Sequence, residues 1–222
     1  METSAILSLL PAPTIAVAIY LLLRYKYPNG RFHLVYKTFL LGIAGILPVF
    51  IIDRIITGLH LDQLHSLNRT LFYAFVLTGG VFELWKFLIL KVFVLPSKQV
   101  IKTFDVIVYS IIIAAGFTSA YSLYAIFYPS AYISVSLYTF TIGPAFVSIA
   151  VIMGYFAGIS LNRQFTFIEL ATGLFIAIVF QGIYRFCLLY NDTLLLYMAI
   201  GGMLVTGITL LIFSLRDREE SD

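Results

Sequence analysis

The stretch Gly79-Gly80-Val81-Phe82-Glu83-Leu84-Trp85-Lys86-Phe87-Leu88-Ile89-Leu90-Lys91 sets an acid and a base inside an otherwise apolar run. Glu83 and Lys86 are three residues apart, so on a helix they share a face and can pair. An ionisable side chain at the centre of a bilayer costs roughly 2.5–3.5 kcal/mol on insertion scales. Such residues turn towards a protein interior or a wet cavity. The stretch therefore predicts a helix bundle in a membrane, with its polar centre around Glu83.

The whole chain agrees. Of its 222 residues 61% are hydrophobic and 11% charged, against about 25% charged in soluble domains. The mean hydropathy is +0.99. Such a composition suits helices that are apolar all round. Phe and Tyr are abundant, at 20 and 15, and Tyr favours the membrane–water boundary. The net charge of +3 is carried largely in short connections and is no nucleic-acid signature. The single cysteine, Cys187, excludes an internal disulfide and a cysteine-rich metal site. It reads as a small core residue.

Seven apolar runs are long enough to span: Ala5–Leu23, Leu34–Ile52, Leu71–Leu95, Asp105–Phe127, Ile133–Leu161, Phe167–Leu189 and Thr193–Leu215. The first is expected to be a spanning helix rather than a cleaved leader, because no basic segment precedes it and Arg24 and Lys26 follow it. Pro48 is expected to kink the second run, and Gly143-Pro144 to interrupt the fifth. The connection Asp53–Thr70 reads as an amphipathic helix on the bilayer surface, with Asp53-Arg54 capping the second helix. The fold class is thus all-α, a single transmembrane domain over residues 1–222.

Orientation follows from the basic residues. Arg24, Lys26, Arg31, Lys98, Lys102, Arg163, Arg216 and Arg218 fall on one side, and only Arg54 and Arg69 on the other, with Arg185 near it. The positive-inside rule places the N-terminus outside and the C-terminus in the cytoplasm, in a cell (inner) membrane. Small residues recur within the runs, at Gly79-Gly80, Ala114-Ala115-Gly116, Gly154…Gly158 and Gly201-Gly202. They read first as close helix packing; Gly154-x-x-x-Gly158 is the alternative face for a homodimer.

Polar residues inside the runs form the candidate site: Glu83, Lys86, Asp105, Tyr109, Tyr121, Ser122, Gln181, Tyr184 and Arg185, with Ser119, Thr141 and Ser148 nearby in sequence. A bundle that gathers them has one polar cavity, with Glu83–Lys86 and Asp105–Lys102 as ion pairs. Trp85 reads as packing. The three histidines, His33, His60 and His65, all fall in connections, and His60 and His65 with Asp62 read as a polar surface loop.

The order of these motifs resembles the PrsW family of intramembrane metalloproteases. Through it the chain resembles the wider superfamily of glutamate-type membrane proteases, which holds the CAAX-prenyl endopeptidases and the non-catalytic Aph subunit of gamma-secretase. Phe82-Glu83-Leu84-Trp85-Lys86 stands where the family carries Glu-Glu-x-x-Lys. Asp105-Val-Ile-Val-Tyr109-Ser, leading to Gly116-Phe117-Thr118, stands for its Asp-Gly-Ile-Ile-Tyr-Gly and Gly-Phe-Ala. Pro144-Ala145-Phe146 and Met153-Gly154-Tyr155 follow its Pro-Ala-His and Met-Gly-Tyr. Gln181-Gly182-Ile183-Tyr184 stands for His-Gly-x-Tyr. The resemblance covers roughly Gly79 to Leu189.

It implies a PrsW-like helical bundle with the family's chemistry centred on Glu83. The departures fall on that chemistry. The first glutamate is Phe82, the two histidines are Phe146 and Gln181, and a Glu-Asn pair after Gly-Phe-Ala is Tyr121-Ser122. Metal-assisted hydrolysis needs ligands that bind the ion and polarise a water, and phenylalanine has no lone pair. The resemblance therefore implies a retained scaffold without metal or other cofactor. Its partners would be the lipid bilayer, a membrane protein or a second copy, and no nucleic acid. The alternatives are an active protease using Glu83 as base with Gln181 or Tyr184 as oxyanion donor, and a transporter, channel or membrane-disrupting effector.

Overall fold

The computed structural model describes residues 33–58, 66–98, 100, 102–127, 135–162, 166–190 and 192–219, together with 14, 17, 18 and 21. The expected first span, Ala5–Leu23, lies outside the described residues except for positions 14, 17, 18 and 21, which are helical. The described residues carry helices and no strand. Six helical stretches among them are long and apolar enough to cross a membrane: His33–Ile56, Leu67–Val94, Thr103–Tyr124, Thr141–Ile159, Phe167–Tyr190 and Thr193–Arg216. They match six of the seven expected runs, and the chain is an all-α polytopic membrane protein.

The first described span is two helices, α1 (His33–Ala44) and α2 (Ile46–Gly58). The ladder breaks at Gly45, whose N–H donates to the Gly42 carbonyl instead. Pro48 explains the position. A proline ring clashes with the carbonyl four residues earlier, here Ala44, so the discontinuity falls before the proline. Helix α2 runs on through Asp53 and Arg54 to Gly58, and the next helix opens at Leu67, capped by Ser66. The expected surface helix over Asp53–Thr70 is thereby corrected: both ends of that stretch belong to spans, and 59–65, with His60, Asp62 and His65, lie outside the described residues. Asp53-Arg54 sits within a helix rather than capping one. The Arg54 guanidinium lies 5.0 Å from the Phe50 ring one turn back.

The second span joins α3 (Leu67–Phe72) and α4 (Val81–Ile89) through a π-helical segment, Tyr73–Gly80, and ends in another, Leu90–Val94. Sequence periodicity gives no sign of this wider winding. Its local causes are Thr78, which donates to the carbonyls of Tyr73 and Ala74 at 3.2 and 2.9 Å, and the weak helix formers Gly79-Gly80. Side-chain insertion into the ladder loosens a helix locally. Glu83 and Lys86 thus ride on one short α-helical segment between two wide turns.

Helices α5 (Thr103–Phe127), α6 (Val135–Ile159), α7 (Thr166–Tyr190) and α8 (Thr193–Glu219) follow. Helix α6 is continuous through Pro144, so the expected interruption is absent; Ser148 donates to the Pro144 carbonyl at 2.8 Å. Helix α5 lies at the centre. It runs parallel to α1 and α2, with Gly42 against Ile113 and Phe117 and Phe50 against Tyr124. It runs antiparallel to α6, with Gly158 on Thr103, Gly154 on Ile107 and Phe146 by Phe117. Gly154 and Gly158 therefore serve contacts within the chain rather than a dimer face. Helix α7 lies antiparallel to the second span: Gly182 faces Phe75, and Gly79 faces Ile178.

Two glycines set how closely α1 and α5 approach. A Cβ on Gly42 would meet the Ile113 carbonyl, and one on Gly116 the Phe39 carbonyl, both too close for any real contact. At Gly201 a Cβ would meet nothing within 4 Å. Gly42→Ala and Gly116→Ala should each lower stability in detergent by about 1–3 kcal/mol, the usual range for overpacking. Gly201→Ala should be neutral or slightly stabilising, since alanine is the better helix former. Equal melting temperatures for all three would contradict this packing.

Candidate functional site

Glu83 and Lys86 are both fully buried on α4. The Lys86 ammonium donates to Glu83 Oε1 at 2.5 Å, so the expected pair is present. A desolvated ion pair is not in itself a source of stability, but removing one partner leaves a charge in an apolar interior.

Aromatic rings enclose the pair. Lys86 Nζ lies 4.7 Å from the centroid of Phe146 on α6 and 5.6 Å from that of Phe117 on α5. Both are within the range for a cation attracted to a ring face. Phe82 packs at 5.0 Å on both Phe117 and Tyr121. Phe146 stacks near Phe117 and meets Tyr184 of α7 edge-on, each at 6.3 Å. The Tyr184 hydroxyl shares a hydrogen bond of 3.1 Å with Thr141. Three helices thus converge on the ammonium, with Tyr184 of α7 behind Phe146, and the cation is held by one carboxylate oxygen and two ring faces.

The remaining polar residues divide into two groups. Tyr121, Ser122, Gln181, Tyr184 and Arg185 are buried, and the Arg185 guanidinium lies 5.8 Å from the Tyr121 ring. Gln181 and Arg185 are four residues apart and share one face of α7. Gly79, in the π-helical segment one turn before Glu83, abuts Ile178 and Gly182 of α7, which flank Gln181 in the sequence. Glu83 Oε2, Gln181 Oε1 and Ser122 Oγ are buried and make no hydrogen bond among the described residues. Nearly all buried polar atoms in proteins are bonded, so these oxygens mark a place for small donors such as water.

Asp105 and Tyr109 stand apart. They lie in the first two turns of α5, partly exposed, while the central pair meets that helix at Phe117 and Tyr121. Asp105 Oδ2 accepts from the Lys102 backbone N–H at 3.0 Å and closes the helix N-terminus. That bond makes it a cap of α5. Trp85 is packing, as expected: its indole N–H reaches the Leu41 carbonyl at 3.4 Å. The ring faces on Lys86 leave no signal in the sequence: Phe117 and Phe146 stand in the motifs, but nothing in their spacing says that they close on one ammonium.

Among the described residues no three His, Cys, Asp or Glu side chains come together as metal ligands. Glu83 Oε1 has the Lys86 ammonium beside it, and the ammonium has ring faces.

The pairing predicts an asymmetry in stability. Glu83→Ala alone strands a buried ammonium and should cost about 3–5 kcal/mol. Glu83→Ala combined with Lys86→Met should cost clearly less. Thermal unfolding of both variants in detergent decides the point, and equal melting would remove the pair from the account.

Three comparisons bear on the bundle. A model of the "PrsW family intramembrane metalloprotease" matches residues 30–213. Protease PrsW of Bacillus subtilis (strain 168) is 30% identical over 115 residues, 52% of this chain and 50% of that protein. The chain thus matches about half the length of this curated relative. No solved structure matches. The family match runs from before α1 into α8 and takes in the helices around Lys86, so the chain belongs to the PrsW family.

Proposed function

We propose that this PrsW-family chain does not hydrolyse peptide bonds and serves instead as a scaffold or binding subunit for a membrane partner, a transmembrane helix or a lipid. The observation that carries the reading is the closure of Glu83 on Lys86 beneath Phe117 and Phe146. Metal-assisted hydrolysis asks for a Lewis acid held by several lone-pair donors, with an open position for water. Here one Glu83 oxygen already accepts from an ammonium. Phe146 and Phe82 offer no donor, and Gln181 offers only a neutral amide oxygen. The donor set does not fit the family's metal.

What supports a binding role is the retained frame. The small residues that bring the helices together remain in place, and the buried pair on α4, covered by rings of α5 and α6, gives those helices a fixed place to meet without doing chemistry. The basic residues Lys37, Lys91, Lys98, Lys102 and Arg216 gather at one end of the alternating spans, which supports a cytoplasmic C-terminus by the positive-inside rule. A bacterial-type inner membrane is the proposed setting.

One observation favours the second reading, a protease that uses Glu83 as general base. Glu83 Oε2 is a buried acceptor without a bonded donor among the described residues, and a water on it would be positioned by the carboxylate. Such a water would still lack an electrophile to stabilise the oxyanion, unless the Tyr184 hydroxyl left Thr141. No feature of the described helices favours transport.

Hydrolysis separates the readings. Purified protein in lipid nanodiscs, given a panel of single-span membrane substrates, should release no product above that of Glu83→Gln. Product formation by the wild-type chain that disappears in Glu83→Gln would end the non-hydrolytic reading.

A further inference from the structure

We infer that Lys86 is the resident cation of this site, and that the site holds no metal ion beside it. The assignment deepens the reading above and rests on its placement of the family's chemistry at Glu83.

A carboxylate as deeply buried as Glu83 needs a cation beside it. Lys86 supplies it from the same α-helical segment, at 2.5 Å. The family's Glu-Glu-x-x-Lys has a lysine at this position too; what differs in this chain is Phe146, where the family has histidine. The surroundings of the ammonium are suited to an organic cation and unsuited to a metal. Phe146 at 4.7 Å and Phe117 at 5.6 Å present ring faces, which attract an ammonium through their quadrupoles. A divalent ion needs lone pairs at about 2.0–2.3 Å, and neither ring has one. Lys86 is fully buried, so its charge stays within the site.

The substitutions around the pair then read as one change rather than several losses. Phenylalanine at 146 turns the wall facing Glu83 from a place for a nitrogen ligand into a seat for a cation. Phenylalanine at 82 closes the gap to Phe117 and Tyr121. The ammonium is tied to the chain, so the charge of the site does not depend on metal supply or on chelators.

The test is metal dependence. Wild-type protein, purified in nanodiscs without chelator, should carry far less than one transition-metal ion per chain by mass spectrometry. Its melting temperature should be unmoved by EDTA or by excess Zn²⁺. Lys86→Met should melt several degrees lower. Zn²⁺ should not recover that loss, whereas adding Glu83→Gln should recover part of it. One ion per chain, removed by EDTA with a drop in melting temperature, would overturn the assignment, and so would recovery of Lys86→Met by Zn²⁺. If Lys86→Met fails to assemble, Lys86→Arg keeps a cation on the Phe146 ring. It should then melt within a few degrees of wild type, and metal content is read on both chains. Peptide hydrolysis by a metal-free chain would end the non-hydrolytic reading and leave this assignment standing. A bound metal without hydrolysis would do the reverse.

Discussion

The contact between the Lys86 ammonium and Glu83 is the constraint on which the rest of the bundle is arranged. Two charges sit without solvent exposure at the middle of an apolar helix. Neither survives there alone, so the walls must close on both. Helix α5 supplies Phe117 and Tyr121, α6 supplies Phe146, and α7 supplies Tyr184. Each of these helices must therefore come close to α4 at one depth in the membrane. The glycines do this work elsewhere along the same helices. Gly42 and Gly116 bring α1 onto α5, Gly154 and Gly158 bring α6 onto α5, and Gly79 and Gly182 bring the second span onto α7. In lipid, where no hydrophobic force draws helices together, close backbone approach is what association depends on.

The two π-helical segments fit the same picture. They lie on either side of the one segment whose side-chain direction matters most. A wide turn shifts the phase of everything beyond it. Tyr73–Gly80 and Leu90–Val94 thus let Val81–Ile89 aim Glu83 and Lys86 inward, while the flanking turns keep their own apolar faces towards lipid. π-Turns within α-helices are frequent at functional positions. Here the observed feature is a buried charge pair, and the phase shift is the means of aiming it.

Much of this was legible in the sequence, and the exceptions have particular causes. Apolar run length found six described spans because a bilayer imposes a length on every crossing. Spacing of three found the Glu83–Lys86 pair because helix geometry is local. Motif order found the family. Other features depended on neighbours the sequence does not announce. The break falls at Gly45 rather than Pro48 because a proline acts on the carbonyl four residues earlier. Pro144 leaves its helix continuous. Asp105 and Tyr109 share the polar character of the central residues but lie two or three turns away along α5, so polarity within a run did not place them. The ring faces on Lys86 come from two other helices, and no pattern along one chain records that meeting. Phe82 and Phe146 read in sequence as missing ligands; in the structure they are walls of the site.

The most direct measurement is an experimental structure of the protein in a lipid nanodisc, resolved well enough to see what touches Glu83. The account predicts the Lys86 head group within hydrogen-bond distance of Glu83 and seated on the Phe146 ring, with only water beside the second carboxylate oxygen. A metal ion on Glu83, with Lys86 turned away from it, would contradict the account at its centre.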